Sequence, residues 1–408
     1  MEKTGMMNRD APRIDGRTAR RIILLVGASH GFTHVYQLVL PPLYPVLGSE
    51  LDLTYTELGM LTSAMALSFG LSQIVMGPLS DRFGRKWLIL GGQFLFATAT
   101  AMCGLASTFG ALLLLQVLGG MGGSVLHPVG VALITDVTRA DQRGKAMGIH
   151  GSGGMLGTAF APITMVYLTV FVNWRFAMIV VGLLGMIFVP LIARYLVEPP
   201  REETGRSEES GTKENHVYPF SAMVLIMLLA VWITRSVSNR AYQAFLPTFL
   251  VSRYELSLEL SGVFVTLFWI FAAVAWLIGG YLTDRYNHYA ILWLSYLFTA
   301  VSLAVMLFAR PGSADIIIYA NFFLLGMFSF LGAPAFFAIY SEGIQKARSG
   351  TFYSLGFTVA FTVSSVVPGA MGWITDHFNA AASFYPALVL VITALIIVPI
   401  LRRVRSRA

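Results

Sequence analysis

The sequence predicts an all-α membrane protein with twelve transmembrane helices in two pseudo-symmetric six-helix bundles. Composition is the first reason: the 408 residues are 56% hydrophobic and only 12% charged, whereas about a quarter of the residues in soluble domains are charged. The second reason is that the apolar runs are about twenty residues long, which suits helices crossing a bilayer and not barrel strands. The third is an internal repeat, because the two halves share motifs at a nearly fixed spacing.

The apolar runs give the predicted helices, with ends uncertain by a few residues. In the first half they span residues 22–47, 57–79, 87–107, 110–134, 143–171 and 174–197. In the second half they span residues 219–250, 258–283, 289–309, 314–341, 349–375 and 380–401. The bundles are thus predicted at 22–197 and 219–401, between tails at 1–21 and 402–408. Residues 198–218, rich in Pro, Glu, Ser and Gly, are predicted to be a flexible linker.

The distribution of basic residues orients the chain in the membrane. Most of the 28 Lys and Arg residues fall in the two tails and in the loops on the same side as the tails. The opposite loops contain only Arg175, Arg253 and Arg310. Because basic loops stay in the cytoplasm, we expect a multi-pass protein of the cytoplasmic membrane with both termini inside. The net charge of +7 is explained by this topology, and no nucleic-acid partner is expected.

The repeat pairs polar segments in the first helix of each half. HVYQLVLPPLY begins at His34, and RAYQAFLPTFL begins 206 residues later at Arg240. Each segment combines a basic residue, a Tyr-Gln pair and a proline. At the same spacing, Pro128 matches Pro334. Parallel repeats of six helices are typical of transporters whose substrate site lies between the halves, near the midplane of the membrane.

The loop GPLSDRFGRK resembles the signature between helices two and three of the major facilitator superfamily, and the resemblance extends across the whole chain. Every fixed position of Gly-x-Leu-x-Asp-Arg-x-Gly-Arg-Lys is present. The second copy, GGYLTDRYNHY, keeps its Asp-Arg pair but loses the later glycine and the basic pair. A carboxylate among cations at a helix end forms contacts that hold one conformation and break in another. The resemblance implies a conformational gate formed by Gly77, Asp81, Arg82, Gly84, Arg85, Lys86, Asp284 and Arg285.

Within the superfamily, the chain resembles fosmidomycin-resistance-type exporters in the segments SHGFTHVYQLVLPPLYPVL, LGMLTSAMALSFGLSQIVMGPLSDR and GGSVLHPVG. This resemblance implies a secondary transporter for a small anionic or amphiphilic compound, with helices one, four, seven and ten lining a central cavity. Two departures weaken the case for export by antiport. Ile163-Thr164 replaces the Gly-Gly that usually follows the proline of the fifth-helix antiporter motif, and Gln116 stands where many drug exporters have arginine.

Ionisable side chains inside a membrane are costly and usually mark a functional cavity. Helix seven contains two arginines, whereas every Asp and Glu lies in a tail, in a loop or near a helix end. A buried guanidinium without a carboxylate partner needs another source of neutralisation, and its fork suits a carboxylate, phosphate or phosphonate. The predicted substrate-binding residues are Arg235, Arg240, His34, Gln37, Gln243, Tyr36, Tyr242, Asn239 and His127.

Several alternatives stay open at these positions. Arg240 would snorkel to the outer surface if helix seven began later than predicted. For His30, His34 and His127, a structural hydrogen bond and a role in proton coupling are equal alternatives. A metal site at His30 and His34 is not expected, because no buried carboxylate accompanies them and the arginines would repel a cation.

The leading hypothesis is a secondary active transporter that moves a small organic anion by alternating access, with protons as the candidate coupling ion. The alternative is a broad-specificity, proton-coupled exporter of amphiphilic drugs, which the 13% aromatic content favours. No enzyme is expected, because the chain has no nucleophile–base pair, cofactor motif or GxxxxGK[ST] phosphate loop. A sensor without transport stays open. We expect no cofactor and a monomer in the lipid bilayer, whose partners are an anionic small molecule and protons.

Overall fold

A computed structural model describes residues 14–138, 142–198, 221–309, 315–341 and 349–405. No strand occurs in these ranges. The predicted linker falls almost entirely outside the described residues, because only Glu198 of its span belongs to them.

The described part of the first half forms six segments from eight α-helices. They are α1 Gly16–Gln37, α2 Tyr44–Leu51, α3 Tyr55–Phe83, α4 Arg85–Cys103, α5 Phe109–Gly123, α6 Val131–Val137, α7 Arg143–Phe171 and α8 Trp174–Tyr195. The first segment combines α1 with α2, and the fourth combines α5 with α6.

The described part of the second half repeats this pattern. It contains α9 Ala222–Tyr254, α10 Leu258–Thr283, α11 His288–Phe308, α12 Asp315–Leu331, α13 Ala333–Ser341, α14 Ser349–Ser365, α15 Val367–His377 and α16 Tyr385–Arg405. The tenth segment combines α12 with α13, and the eleventh combines α14 with α15.

Eleven described segments are long and apolar enough to cross a membrane. The remaining helix, α4, has 19 residues and packs along α5 and α8. Its polarity comes from Arg85 and Lys86 at its start and from Gln93 near its middle. The predicted all-α membrane fold with twelve helices is confirmed, and α4 is the member whose apolar character is weakest.

The repeated prolines bend the two halves differently. Pro128 lies in one π-helical turn, Leu126–Gly130, and its counterpart Pro334 follows the break between α12 and α13. A proline removes a backbone donor and clashes with the preceding turn, which accounts for both breaks. Yet the chain leaves the α-helix near Pro41, whereas α9 continues through Pro247. Matching prolines therefore share a position without sharing a backbone conformation.

The two halves contact each other along α3 with α14 and α15, and along α7 with α10. Near the predicted outer ends the backbones touch: a Cβ on Gly59 of α3 would collide with the carbonyl of Pro368 in α15. Toward the opposite ends of three of these helices, the Cβ position of a glycine has no neighbour within 4 Å, at Gly77, Gly148 and Gly280. The contact between the halves is thus closest on the side predicted to be extracellular.

Asp376 forms hydrogen bonds across this contact between the two halves. It lies near the end of α15, and its carboxylate accepts hydrogen bonds from the backbone N–H groups of Tyr55 (2.9 Å) and Thr56 (2.7 Å) and from the Thr56 hydroxyl (2.6 Å). The first N–H groups of a helix have no partner within the helix, and its positive end attracts an anion. An acidic side chain of one half therefore caps a helix of the other.

Candidate functional site

The two arginines of α9 lie in different surroundings. They are five residues apart, which is about 140° around an α-helix. Arg240 lies over the ring of Phe361 in α14, at 5.9 Å from the centroid. Arg235 lies near the rings of Trp276 in α10 and Phe337 in α13, at 5.7 and 5.6 Å. Arg240 lies within electrostatic reach of His34 and Tyr44 of the first half, whereas Arg235 faces the interior of the second half.

Arg240 is the charged centre between the halves. Its side chain is only 7% exposed, and Nη1 donates a hydrogen bond to Oε1 of Gln243 (2.9 Å). His34 and Tyr44 of the first half lie within its electrostatic reach. These neighbours supply polarity and no negative charge. The burial also excludes the snorkelling alternative for this conformation.

Arg235 borders a small polar cavity inside the second half. The cavity measures about 20 Å³, which is room for about one water molecule. Asn239, Tyr242 and Tyr296 are among its lining residues. Nη1 of Arg235 and Oδ1 of Asn239 have no hydrogen-bond partner among the described residues. Three of the predicted binding residues are therefore gathered here, in a space too small for an organic anion.

Four histidines of the first half form a cluster opposite Arg240. His30 and His34 lie one helical turn apart on α1, and their Nε2 atoms are 3.2 Å apart. The ring of His127 lies 5.0 Å from that of His30 and 6.2 Å from Phe361 of the other half. His150 of α7 stacks on His30 with ring centroids 4.0 Å apart. The structure brings together the three predicted histidines and adds a fourth.

Glycine contacts between α1 and α7 create the space for these rings. The carbonyl of Gly153 lies 3.0 Å from the Cβ position of Gly31, so the two backbones are in direct contact. A Cβ on Gly154 would lie 2.7 Å from the His30 ring and 2.9 Å from the His34 ring. Glycines in a membrane helix let a neighbouring helix approach closely. Here this packing also shapes the histidine cluster.

Two further predicted binding residues lie at the end of α1. Tyr36 is 1% exposed and packs against Phe96 of α4, with ring centroids 4.9 Å apart. Its side chain is therefore directed into the first half and away from Arg240. Gln37, the last residue of α1, is buried.

The predicted gate at residues 77–86 contains a sharp turn between two helices. Gly84 has φ +92°, a conformation that favours glycine, and it separates α3 from α4. The carboxylate of Glu198 accepts hydrogen bonds from the backbone N–H groups of Arg85 (2.9 Å) and Lys86 (2.7 Å) and so caps α4. The Arg85 guanidinium forms an ion pair with Asp136 of α6. These contacts join α4 to α6 and to the residue Glu198 that follows α8, all within one half.

The acidic residues of both signature copies are exposed. Asp81 has no side-chain hydrogen bond or ion pair among the described residues, and the Arg82 guanidinium lies 5.4 Å from the centroid of the adjacent Phe83 ring. In the second copy, Asp284 ends α10, and Arg285 lies over the Tyr281 ring at 3.8 Å. The gating role predicted for these residues stays a prediction, since their described contacts lie within one half.

Sequence analysis missed two residues of the centre. His150 was overlooked because candidates were sought on helices one, four, seven and ten, although a histidine inside any membrane helix is a signal by itself. Tyr44 is fully buried, and its hydroxyl lies 2.5 Å from that of Thr62. Its ring contacts Phe245 of the other half. Its sequence context, a tyrosine between prolines, gives no comparable signal.

Comparison with known proteins identifies the family. The model of the Major Facilitator Superfamily matches residues 26–368. The chain belongs to this superfamily. Its members are transporters and not enzymes. The structure resembles the crystal structure of a bacterial homologue of the human lysosomal transporter Spinster in an inward-facing, unoccupied conformation, with a TM-score of 0.83, 15% identity, and coverage of 97% of this chain and 99% of that one.

Two curated relatives share this fold family. The fosmidomycin resistance protein of Escherichia coli K12 is 25% identical over 369 residues, 88% of each chain. The probable L-galactonate transporter of the same organism is 28% identical over 253 residues, which are 58% of this chain and 55% of the relative. The predicted resemblance to fosmidomycin-resistance-type exporters is confirmed.

Proposed function

We propose that this superfamily member is a secondary active transporter that moves a small organic anion across the cytoplasmic membrane by alternating access. One observation carries the proposal: Arg240 is buried between the halves, and every Asp and Glu of the chain lies in a tail, in a loop or near a helix end. Removing a guanidinium from water costs several kcal/mol unless an opposite charge compensates. A carboxylate, sulfonate or phosphonate supplies that charge.

The polar groups around Arg240 fit such a ligand. Gln243 accepts a hydrogen bond from one nitrogen of the guanidinium, which fixes the direction of its fork. A fixed fork loses little conformational entropy when it binds an anion through two hydrogen bonds. Among the relatives, the name of the probable L-galactonate transporter supports a carboxylate substrate, since galactonate is a carboxylate.

An ion gradient is the energy source that we propose for this transport. The sequence has no GxxxxGK[ST] phosphate loop, so no motif of that kind for a hydrolysable nucleotide is present. The proton gradient is the first to test. Purified protein in liposomes should accumulate the anion when a pH gradient is imposed and should stop when an ionophore collapses the gradient.

The decisive experiment measures anion binding by calorimetry in nanodiscs. The probes are L-galactonate and a small alkylphosphonate, with uncharged galactose as the reference. Arg240→Gln should weaken anion binding by about thirtyfold or more, because loss of a charge-assisted partner typically costs about 2–5 kcal/mol. Arg240→Lys should restore part of the affinity, since it keeps the charge and loses the fork.

Arg235→Gln is the matched control, because it removes the same charge from the same helix. Its guanidinium borders a cavity with room for about one water, so we expect anion affinity within about threefold of the wild type, well under the 1.4 kcal/mol of a tenfold change. Wild-type affinity in Arg240→Gln contradicts the proposal. An equal loss in both variants would place the anion on both arginines, as the sequence first predicted.

The second candidate is an exporter of amphiphilic drugs. Aromatic rings of both halves surround the centre, including Phe69 and Phe361, whose centroids are 6.3 Å apart. Such rings offer large apolar contact areas to a drug. This candidate predicts that neutral amphiphiles bind and that Arg240→Gln leaves their affinity unchanged.

A further inference from the structure

We propose that His30, His34 and His127 form a binding site for a divalent transition-metal ion of the Zn²⁺ class. One ligand nitrogen from each of the three side chains lies within 4.8 Å of the other two. From the sequence, no metal site was expected at His30 and His34, because no buried carboxylate accompanies them and the arginines would repel a cation. The structure supplies a third, from a different membrane segment.

Outer hydrogen bonds orient two of the three histidine rings. Nδ1 of His30 lies 2.9 Å from the carbonyl oxygen of His150, and because a carbonyl only accepts, Nδ1 carries the proton. Nδ1 of His34 lies 3.2 Å from Oγ1 of Thr158, which also lies 3.0 Å from the carbonyl of Gly154. Without a metal, Nε2 of His34 donates to Nε2 of His30 and the Thr158 hydroxyl donates to Nδ1 of His34. A metal would bind the other tautomer, in which the His34 proton moves to Nδ1 and the Thr158 hydroxyl donates to the Gly154 carbonyl.

The two Nε2 atoms are 3.2 Å apart, so after this change of tautomer both lone pairs can bind one cation. Histidine ligands of metals commonly donate their second ring nitrogen to a carbonyl or to another acceptor, which fixes the tautomer and the ring orientation. Both outer contacts of this type are present here. The Nε2 atom of His127 is buried with no hydrogen-bond partner among the described residues, so it is available as a third ligand.

The spacing suits a small ion. Zinc–nitrogen bonds are about 2.0–2.1 Å long, which puts neighbouring nitrogens of a tetrahedral site about 3.4 Å apart. The His30–His34 pair already has this separation. All three nitrogens lie within 4.8 Å of one another, so His127 reaches the tetrahedral spacing of about 3.4 Å by moving at most about 1.4 Å closer. Imidazole ligands favour Zn²⁺, Ni²⁺, Co²⁺ and Cu²⁺ over Mg²⁺ and Ca²⁺.

The nearby positive charge determines the fourth ligand. Three neutral imidazoles leave the ion its full charge, and Arg240 lies within electrostatic reach of His34. A hydroxide or an anion in the fourth position reduces the repulsion. Sites with three protein ligands and one open position are common for zinc. The site is therefore expected to hold a metal ion together with an anion.

The test uses protein purified without a polyhistidine tag and titrated with Co²⁺ in nanodiscs. Wild-type protein should bind one Co²⁺ and show the visible absorption of a tetrahedral site, which excess Zn²⁺ should abolish. His34→Gln and His127→Gln should each lose more than the roughly 10–100-fold that removal of an outer hydrogen bond costs. Thr158→Val removes such an outer bond and should lose about 10–100-fold.

His377→Gln is the control, because His377 is exposed at the end of α15 and far along the chain from the cluster. It should bind Co²⁺ like the wild type. X-ray absorption of the wild-type Zn²⁺ complex should show histidine nitrogens at about 2.0–2.1 Å, which tests the site even if a variant fails to fold. Absence of a tetrahedral Co²⁺ spectrum, or binding that persists unchanged in His34→Gln and His127→Gln, overturns the proposal.

Discussion

The turn at Gly84 shows how much a single residue position controls. Its φ of +92° is strained for any side chain, and a Cβ would lie 3.3 Å from the Glu198 carboxylate. Gly84→Ala should therefore lower stability by about 1–3 kcal/mol and displace the cap of α4. The measurement is the thermal unfolding midpoint in detergent.

Gly91→Ala is the matched comparison for this variant. Gly91 lies within α4, and its Cβ position has no neighbour within 4 Å. Alanine is favoured over glycine inside a helix by about 1 kcal/mol, so this variant should be neutral or slightly more stable. Equal midpoints for both variants would show that the conformation of Gly84 carries no cost.

At the residue scale, the sequence predicted which side chains are unusual better than which ones meet. Arg240 and Gln243 are three residues apart, and their contact follows from helical geometry. Arg235 and Arg240 were grouped because both are buried arginines, although five residues place them on different faces of α9. Glu198 accepts a hydrogen bond from the start of a helix more than 100 residues away in the sequence, and Asp376 from one more than 300 residues away. No local sequence pattern predicts such contacts.

The contact between α15 and the start of α3 predicts an effect at the scale of elements. Asp376→Asn keeps an acceptor oxygen but loses the charge that favours a helix N-terminus. The outer ends of the halves should then separate more readily. Spin labels at the outer ends of α3 and α15 should report a longer mean distance in this variant. Glu259→Gln, which removes an acidic side chain from the first turn of α10 in the same half, should leave that distance unchanged.

Asp81 provides a second prediction about elements, because it lies at the end of α3 without a described partner in this conformation. We expect it to pair only when the opposite ends of the halves, which are predicted to be cytoplasmic, close. Asp81→Asn should slow transport in liposomes while leaving substrate affinity within about threefold, well below a tenfold change of 1.4 kcal/mol. Unchanged turnover would remove Asp81 from the proposed gate.

Across the whole molecule, the direct backbone contact at Gly59 limits how closely the halves approach. A valine there would collide with the carbonyl of Pro368, so Gly59→Val should hold the outer ends apart and stop turnover. Gly91→Val, in the neighbouring helix α4 where the Cβ position has no neighbour within 4 Å, should allow turnover. Cysteine labelling of the outer ends tests both, and an equally active Gly59→Val would contradict the close approach.

The overall architecture was predictable because membrane helices must be long and apolar, and their backbone N–H and C=O groups must be paired within the helix. The bends were predictable only in part. Pro128 and Pro334 both mark breaks, but Pro41 follows a break while Pro247 sits in a continuous helix. A proline lowers the free energy needed to bend a helix, and the packing around it determines whether the bend forms.

The polar residues at the centre of the protein are divided between the two halves, and this division affects how a substrate is released. Arg240 moves with α9, whereas His30 and His34 move with α1, which glycine contacts bind closely to α7. A substrate that contacts both sides is held by both sets of residues only while the two halves keep this alignment. When one half rotates against the other, the substrate loses its contacts with one side. Its binding then weakens without any covalent bond being made or broken. Release is then a result of the motion itself.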